Sequence, residues 1–215
     1  LTLNRPDKFN ALSGDLMAAI QAQLDALMDD RDTRVVVIAA NGRAFCAGHD
    51  LQEMKGLQGR DALEGLFKQC SKMMTSLTRI PQPVIAKVQG YAIGGGNVIA
   101  TLCDLTIAGE SAVFGQVGPK VGSVDPGFGT AYLSRIVGEK KAREIWYLCR
   151  RYSAQEALQM GLVNTVVPDD ELDAEVAKWC DEILERSPTA IAIAKHTFNA
   201  DTESIRGISR LGFQA

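Results

Sequence analysis

The run from Gly90 to Asp104 constrains this chain more than any other. It reads Gly90-Tyr91-Ala92-Ile93-Gly94-Gly95-Gly96-Asn97 and continues Val98-Ile99-Ala100-Thr101-Leu102-Cys103-Asp104. Upstream lies Val84-Ile85-Ala86-Lys87-Val88, a β-rich segment behind Pro81-Gln82-Pro83. Val98, Ile99 and Leu102 are spaced as on the buried face of a short helix. A strand therefore turns sharply, through glycines, into a buried helix. The first N–H groups of such a helix have no intrahelical partner and lie at the positive end of its dipole. With no side chains in the way, a polarised oxygen can reach them directly. This is half of an oxyanion hole. Taken alone, the triple glycine is better accounted for by a tight turn packed on its own sheet.

A second glycine-bearing turn shifts the balance. Arg43-Ala44-Phe45-Cys46-Ala47-Gly48-His49-Asp50-Leu51 follows the apolar strand Val35-Val36-Val37-Ile38-Ala39-Ala40. Two such turns, each at the end of a buried strand, can aim two backbone N–H groups at one point. An enolate or tetrahedral oxyanion needs that arrangement, and losing one donor typically raises the barrier by about 2.7–4 kcal/mol.

The 215 residues are 46% hydrophobic and 23% charged, enough for one sizeable core. A formal net charge of −3 offers no basic field for nucleic acid. No apolar run approaches the ~20 residues of a membrane helix. The five cysteines (Cys46, Cys70, Cys103, Cys149, Cys180) lack CxxC spacing and read as free thiols in a reducing, cytoplasmic setting. Two distant histidines, His49 and His196, give no metal-site spacing. The chain begins at Leu1 and ends Leu211-Gly212-Phe213-Gln214-Ala215 without a helix cap, as a fragment would.

In order along the chain, residues 1–6 read as the end of a strand and 7–10 as a polar turn. Ser13 caps a helix over about 14–29. The strand at 35–40 leads into the first glycine turn, and 52–60 read as a mobile surface link in which Glu53 is solvated. A helix follows over about 61–79. Leu105-Thr106-Ile107-Ala108 is another strand, and Ala112-Val113-Phe114-Gly115 a further short one. Residues 118–130 are rich in glycine and proline, and long irregular loops inside compact domains are often functional. The remainder reads as helical: about 129–137, 139–148, 154–160, 170–186 and onward from 188. The pattern predicts one α/β core with a helical C-terminal part.

Three separated motifs, in order, resemble the crotonase (enoyl-CoA hydratase/isomerase) superfamily. They are Leu3-Asn4-Arg5-Pro6 with Asn10-Ala11-Leu12, then Phe45-Cys46-Ala47-Gly48-His49-Asp50-Leu51, then Gly90 to Gly96. The resemblance spans nearly the whole chain. It implies a spiral of β-β-α units over 1–137 forming an acyl-CoA-binding core, and a helical trimerisation part over 138–215. It further implies an acyl-CoA thioester whose carbonyl oxygen sits between the backbone N–H groups of His49 and Gly95. On this reading the His49 imidazole is incidental and His196 lies on a helix surface. Family members usually end in a further helix over the active site, and this chain is expected to stop short of it.

The resemblance also marks Ala47, Asp50, Leu51, Tyr91, Gly94, Gln116 and Gly118 as substrate- or CoA-binding positions. Lys8 is a candidate contact for a CoA phosphate, with a solvated turn lysine as the alternative. No separate cofactor is implied, coenzyme A being part of the substrate. The assembly implied is a homotrimer or hexamer, with no nucleic acid and no membrane.

Family hydratases carry two glutamates that place and activate water. The matching positions here are Val98 and Gly118, neither of which transfers protons. The stretch from Phe114 to Val167 instead resembles the family branches that open or close rings. The nearer is 2-ketocyclohexanecarboxyl-CoA hydrolase, and the other is dihydroxynaphthoyl-CoA synthase. Both pass through a thioester enolate. This implies hydrolytic ring opening of a cyclic β-ketoacyl-CoA, with Asp125 as base or proton shuttle and Ser123 orienting substrate or water. In a glycine-rich turn, Asp and Ser also serve simply to close the loop.

The alternatives are a synthase-type condensation, in which bicarbonate near Gln116 and Gly118 would act as base, a hydratase or isomerase with other acid–base groups, and a non-catalytic acyl-CoA-binding homologue. The first turn, Ala47-Gly48-His49-Asp50-Leu51-Gln52-Glu53-Met54, has a hydratase-like spelling, which leaves the acyl group open. Glu53 is a conceivable replacement carboxylate.

Overall fold

The computed structural model describes residues 1–125 and 128–200. Strand β1 (Thr2–Leu3) runs into a 3-10 turn (Pro6–Lys8) and helix α1 (Gly14–Leu27). Next come β2 (Val36–Ala40), α2 (Leu51–Gly56), α3 (Arg60–Arg79), β3 (Val84–Val88), β4 (Tyr91–Ile93) and α4 (Gly95–Leu102). They are followed by β5 (Leu105–Gly109), β6 (Val113–Gly115) and α5 (Gly118–Val121). The last part holds a π-helical turn (Phe128–Tyr132), α6 (Leu133–Val137), α7 (Glu139–Leu148), β7 (Tyr152–Ser153) and α8 (Ala154–Gln159). It closes with β8 (Thr165–Val167), α9 (Leu172–Leu184) and α10 (Pro188–Phe198).

Five strands form one parallel sheet in the order β1-β2-β3-β5-β8. A second, smaller sheet holds β4-β6-β7, with β4 and β6 parallel and β7 antiparallel to β6. Isolated parallel bridges extend that second layer: Leu12 pairs with His49, and Cys46 with Ala92. Each of the first four strands of the large sheet is thus followed by a short extended piece in the second layer: Leu12 after β1, Cys46 after β2, β4 after β3 and β6 after β5. One turn of chain after another repeats this step, which is the β-β-α spiral. Strands buried on both faces read as apolar runs, and β3 is one, with Val84, Ile85, Ala86 and Val88 at 0% exposure. Fully buried Phe45, Phe114, Met73, Met74 and Ile99 fill the main core. On the opposite side, Leu172 and Val176 of α9 pack on Ile85 and Ile107.

Local expectations mostly hold, with three corrections. Helix α1 is capped by Ser13, whose Oγ accepts from Leu16 N at 3.2 Å. The segment at 52–60 is not simply a surface link: 51–56 is a helix whose cap is Asp50, accepting from the amides of Gln52 and Glu53. Six residues are too few to show helical periodicity, so only the cap betrays it. Glu53 is anchored, not solvated; both its carboxylate oxygens accept from Gly14 N at 3.1 Å. Nor is the part beyond 137 wholly helical, since β7 and β8 join the two sheets. Thr165-Val166-Val167 is β-branched throughout but too short to stand out by pattern alone. The expected abrupt end at 211–215 lies outside the described residues. Four of the five cysteines are buried, and all are unpaired. His196 is exposed on α10.

Lys195, its neighbour, is 4% exposed. Its ammonium contacts Asp104 Oδ2 at 2.8 Å and donates to the carbonyls of Gln82 (2.8 Å) and Leu77 (3.2 Å). Asp104 Oδ2 also accepts from Val84 N. This pair ties α10 to the start of β3. Lys195 is buried while the Asp104 side chain stays partly exposed; Lys195→Met leaves the carbonyls of Gln82 and Leu77 without this donor, and is expected to destabilise the fold by about 1–3 kcal/mol in urea denaturation. The exposed Lys72–Asp25 pair, at 3.8 Å, should make Lys72→Met worth no more than about 0.5 kcal/mol in the same measurement.

Candidate functional site

The two glycine turns meet. Gly48 has φ +91°, and a Cβ built on it would lie 3.0 Å from Ile93 O and 3.2 Å from Gly95 N. A Cβ on Gly96 would lie 2.1 Å from the carbonyl oxygen of Cys46. Only glycine allows backbone to lie against backbone this closely. The first turn is held from both sides. Towards the N-terminal segment, Ala47 N donates to Phe9 O, Leu12 N to Gly48 O and Asp50 N to Leu12 O. Towards β4, Cys46 N donates to Tyr91 O, and Cys46 O accepts from Ile93 N.

Because the groups flanking His49 bond to Leu12, its own N–H faces the other way, towards the start of α4. There β4 has ended: Gly94 N donates to Gly115 O, and Gly94 (φ 56°) turns the chain into the helix. The amides of His49 and Gly95 donate to no group among the described residues. Gly95 is the first residue of an eight-residue helix, where an unpaired N–H is expected.

These amides open onto an apolar cavity of about 980 Å³, its open mouth included. Ala47, Gly48, His49, Gly94, Gly95 and Val98 form one side. Gln116, Gly118, Ser123, Asp125, Phe128 and Trp146 form another. Phe67, Cys70, Ser71 and Met74 of α3, with Leu51 and Met54 of α2, close it. Asp125 is the only carboxylate among these lining residues. Its Oδ1 accepts from Gly129 N at 2.9 Å, and Gly129 O accepts from the indole of Trp146. Burial, then the Asp125 charge, pushes the Cys70 thiol upward, so it stays protonated.

The position of Gly118 explains why a glutamate is missing there. A Cβ would fall 2.3 Å from Ser123 O and 2.7 Å from the Trp146 ring. The loop closes over this point, Ser123 N donating to Gly118 O. Val98, at the other hydratase position, is 1% exposed on the cavity wall. For a bicarbonate, Gln116 has a suitable donor, since its buried Nε2 has no partner among the described residues. At Gly118 a side chain would meet the Ser123 carbonyl and the Trp146 indole.

Not every expected contact reaches the cavity. Lys8 is exposed in the first 3-10 turn. Tyr91 is exposed on the outer side of β4, with the Arg151 guanidinium 5.6 Å from its ring centroid. Asp50 caps α2 and pairs with Arg5 at 3.1 Å. Burial pushes its carboxyl up, but the Glu53 amide, Arg5 and the Gln52 amide together hold it below the usual value. His49, Gly95, Ser123, Asp125, Ala47, Leu51, Gly94, Gln116 and Gly118 do come together. The α3 wall was legible as an apolar stripe (Phe67, Cys70, Met74), but only Ser71 within it hinted that one edge faces a cavity. Among the described residues no cluster of His, Cys, Asp and Glu is able to hold a metal, and no helix is long and apolar enough to cross a membrane.

Comparison with known proteins agrees with this architecture. The sequence profile of the enoyl-CoA hydratase/isomerase family matches residues 1–213. An enoyl-CoA hydratase from Mycobacterium smegmatis is 38% identical, with 98% of this chain and 84% of that one covered and a TM-score of 0.88. One from Bacillus anthracis is 33% identical over 99% and 84%, also with a TM-score of 0.88. An enoyl-CoA hydratase/isomerase from Xanthobacter autotrophicus Py2 is 32% identical over 99% and 80%, with a TM-score of 0.90. The chain belongs to the enoyl-CoA hydratase/isomerase family and is a crotonase-superfamily acyl-CoA enzyme.

Proposed function

We propose that this enzyme opens the ring of a cyclic β-ketoacyl-CoA, such as 2-ketocyclohexanecarboxyl-CoA, by hydrolysis. One observation carries the proposal: among the described residues, a cavity served by two unpaired amides is lined by a single carboxylate, at Asp125, while neither hydratase carboxylate position holds a proton-transferring side chain. The amides of His49 and Gly95 receive the thioester oxygen. Asp125 takes a proton from water, and the hydroxide adds to the ring ketone. The bond between the ketone carbon and the thioester α-carbon then breaks, its electron pair passing into the thioester enolate. Asp125 returns the proton to the α-carbon, leaving a carboxylic acid at one end and the thioester at the other. The two N–H groups bind the enolate more strongly than the neutral carbonyl, so they lower the barrier and do more than bind. Ser123 would orient water or the ring ketone. The C-terminal helices would build a homotrimer or hexamer.

A second reading rests on the matched structures, which are named as hydratases and isomerases. An isomerase in which Asp125 moves one proton along the acyl chain would use the same amides.

Incubation with 2-ketocyclohexanecarboxyl-CoA should yield pimeloyl-CoA by mass spectrometry. Asp125→Asn should lower kcat by about 10²-fold or more, the usual worth of a positioned general base. Unchanged turnover in that variant would remove Asp125 from the mechanism, and crotonyl-CoA hydration at an ordinary enzymatic rate would overturn the ring-opening reading. Gly118→Glu, which restores a hydratase residue, should not gain hydration of crotonyl-CoA. With Ser123 O 2.3 Å from the new Cβ, it should instead lower the melting temperature. A stable, hydrating Gly118→Glu variant would refute the steric account.

A further inference from the structure

The His49 side chain has no task in the mechanism above, which uses only its amide. Its ring nonetheless lies at the cavity wall, edge-on to Phe67 with centroids 5.6 Å apart and planes at 74°. The two ring nitrogens have different surroundings. Nε2 is buried and has no hydrogen-bond partner among the described residues. Nδ1 is on the side of Gly95, 3.7 Å from where a Cβ on that glycine would stand. Burial lowers the pKa of the imidazole, so at pH 7 the ring is neutral and carries one proton.

Where that proton sits follows from the surroundings. Interiors tolerate an unused acceptor more readily than an unused N–H. The proton is therefore better placed on Nδ1, leaving the bare lone pair on the walled-in Nε2. A neutral imidazole so arranged presents one hydrogen-bond donor next to the amide of Gly95. The same cavity is lined by the apolar side chains of Phe67, Met74, Val98 and Leu51, and its other neutral polar side chains include Ser71, Gln116 and Ser123.

We infer that the His49 imidazole is a specificity-determining group, its Nδ1–H donating to a carbonyl oxygen carried by the acyl chain close to the thioester. The ligand class it selects is acyl-CoA thioesters with a second oxygen near the α-carbon, β-keto thioesters foremost, over plain alkanoyl thioesters. A buried site that offers a donor penalises a ligand lacking the acceptor, because the donor is then left without a partner. The inference rests on the ring-opening reading for its choice of β-keto substrate. It concerns ground-state selection, however, and can be tested by binding alone.

The test measures dissociation constants by titration calorimetry in the Asp125→Asn background, so that no ligand is consumed. The probes are 2-ketocyclohexanecarboxyl-CoA and cyclohexanecarboxyl-CoA, which differ by the ketone oxygen. With His49 present, the keto thioester should bind about fivefold more tightly, the worth of one net hydrogen bond. His49→Phe, which keeps the backbone and the ring contact, should bring the ratio to about one. His49→Asn, with its amide nitrogen near the place of Nδ1, should restore the preference, whereas His49→Gln, which reaches towards Nε2, should not.

Equal ratios with His49 in place and in the His49→Phe variant would overturn the inference, as would equal behaviour of the Asn and Gln variants. The Asn–Gln pair decides the matter if His49→Phe fails to fold. A protein that shows the His49-dependent preference yet forms no pimeloyl-CoA would sink the ring-opening reaction and leave this inference standing. The converse result, turnover without the preference, would do the opposite.

Discussion

The two glycine turns are locked together by the contact between the carbonyl of Cys46 and Gly96. There is no room for even one methyl group between them. The same carbonyl accepts from Ile93 N, so the first turn is bonded to β4 and packed on the helix that follows it. Two donors can share one oxygen only if each lies roughly 2.7–3.1 Å from it. That spacing demands backbones in van der Waals contact, which side chains at Gly48, Gly95 or Gly96 would prevent. The glycines are therefore not there for flexibility. They remove the atoms that would hold the turns apart.

Other groups stop the first turn from drifting. Asn10, fully buried and in the left-handed region (φ 53°), donates from Nδ2 to the carbonyls of Asn41 and Ala44 and accepts from Arg5 N. Arg5 in turn bonds Ala11 O and Asp50. Asp50 caps α2, and Glu53 of that helix holds the first amide of α1. This polar chain runs beside the oxyanion turn without entering the cavity. It accounts for residues such as Arg5, Asn10 and Asp50 in structural terms, by what they hold and not by what they touch in a substrate.

This division explains which parts were legible in the sequence. Strands β2, β3 and β5, helices α1, α3 and α4, and both glycine turns follow from apolar periodicity and from glycine, which are local signals. That residues 49 and 95 share one cavity with 116–125 is a property of the spiral, and it came from motif resemblance, not from spacing. The third cavity wall, on α3, was hidden because a stripe that packs and a stripe that lines a cavity have the same spacing. The strands β7 and β8 escaped because two or three residues pair only when a sheet edge is waiting for them. The anchoring of Glu53 depends on Gly14, 39 positions away, and no local pattern records it.

Among the described residues the cavity is lined by one carboxylate, and a site that works with one carboxylate must give back the proton it takes. On the proposed reading Asp125 takes a proton and returns it to another atom of the same substrate. Hydrolytic ring opening meets that condition, because the proton taken from water is the one the new α-carbanion needs. Proton transfer along an enoyl chain meets it as well. The two differ in what the acyl group must carry: ring opening needs an oxygen on the carbon next to the thioester α-carbon, whereas isomerisation needs none. On the inference drawn above, the Nδ1–H of His49 would go without a partner on a hydrocarbon chain and is suited to that oxygen.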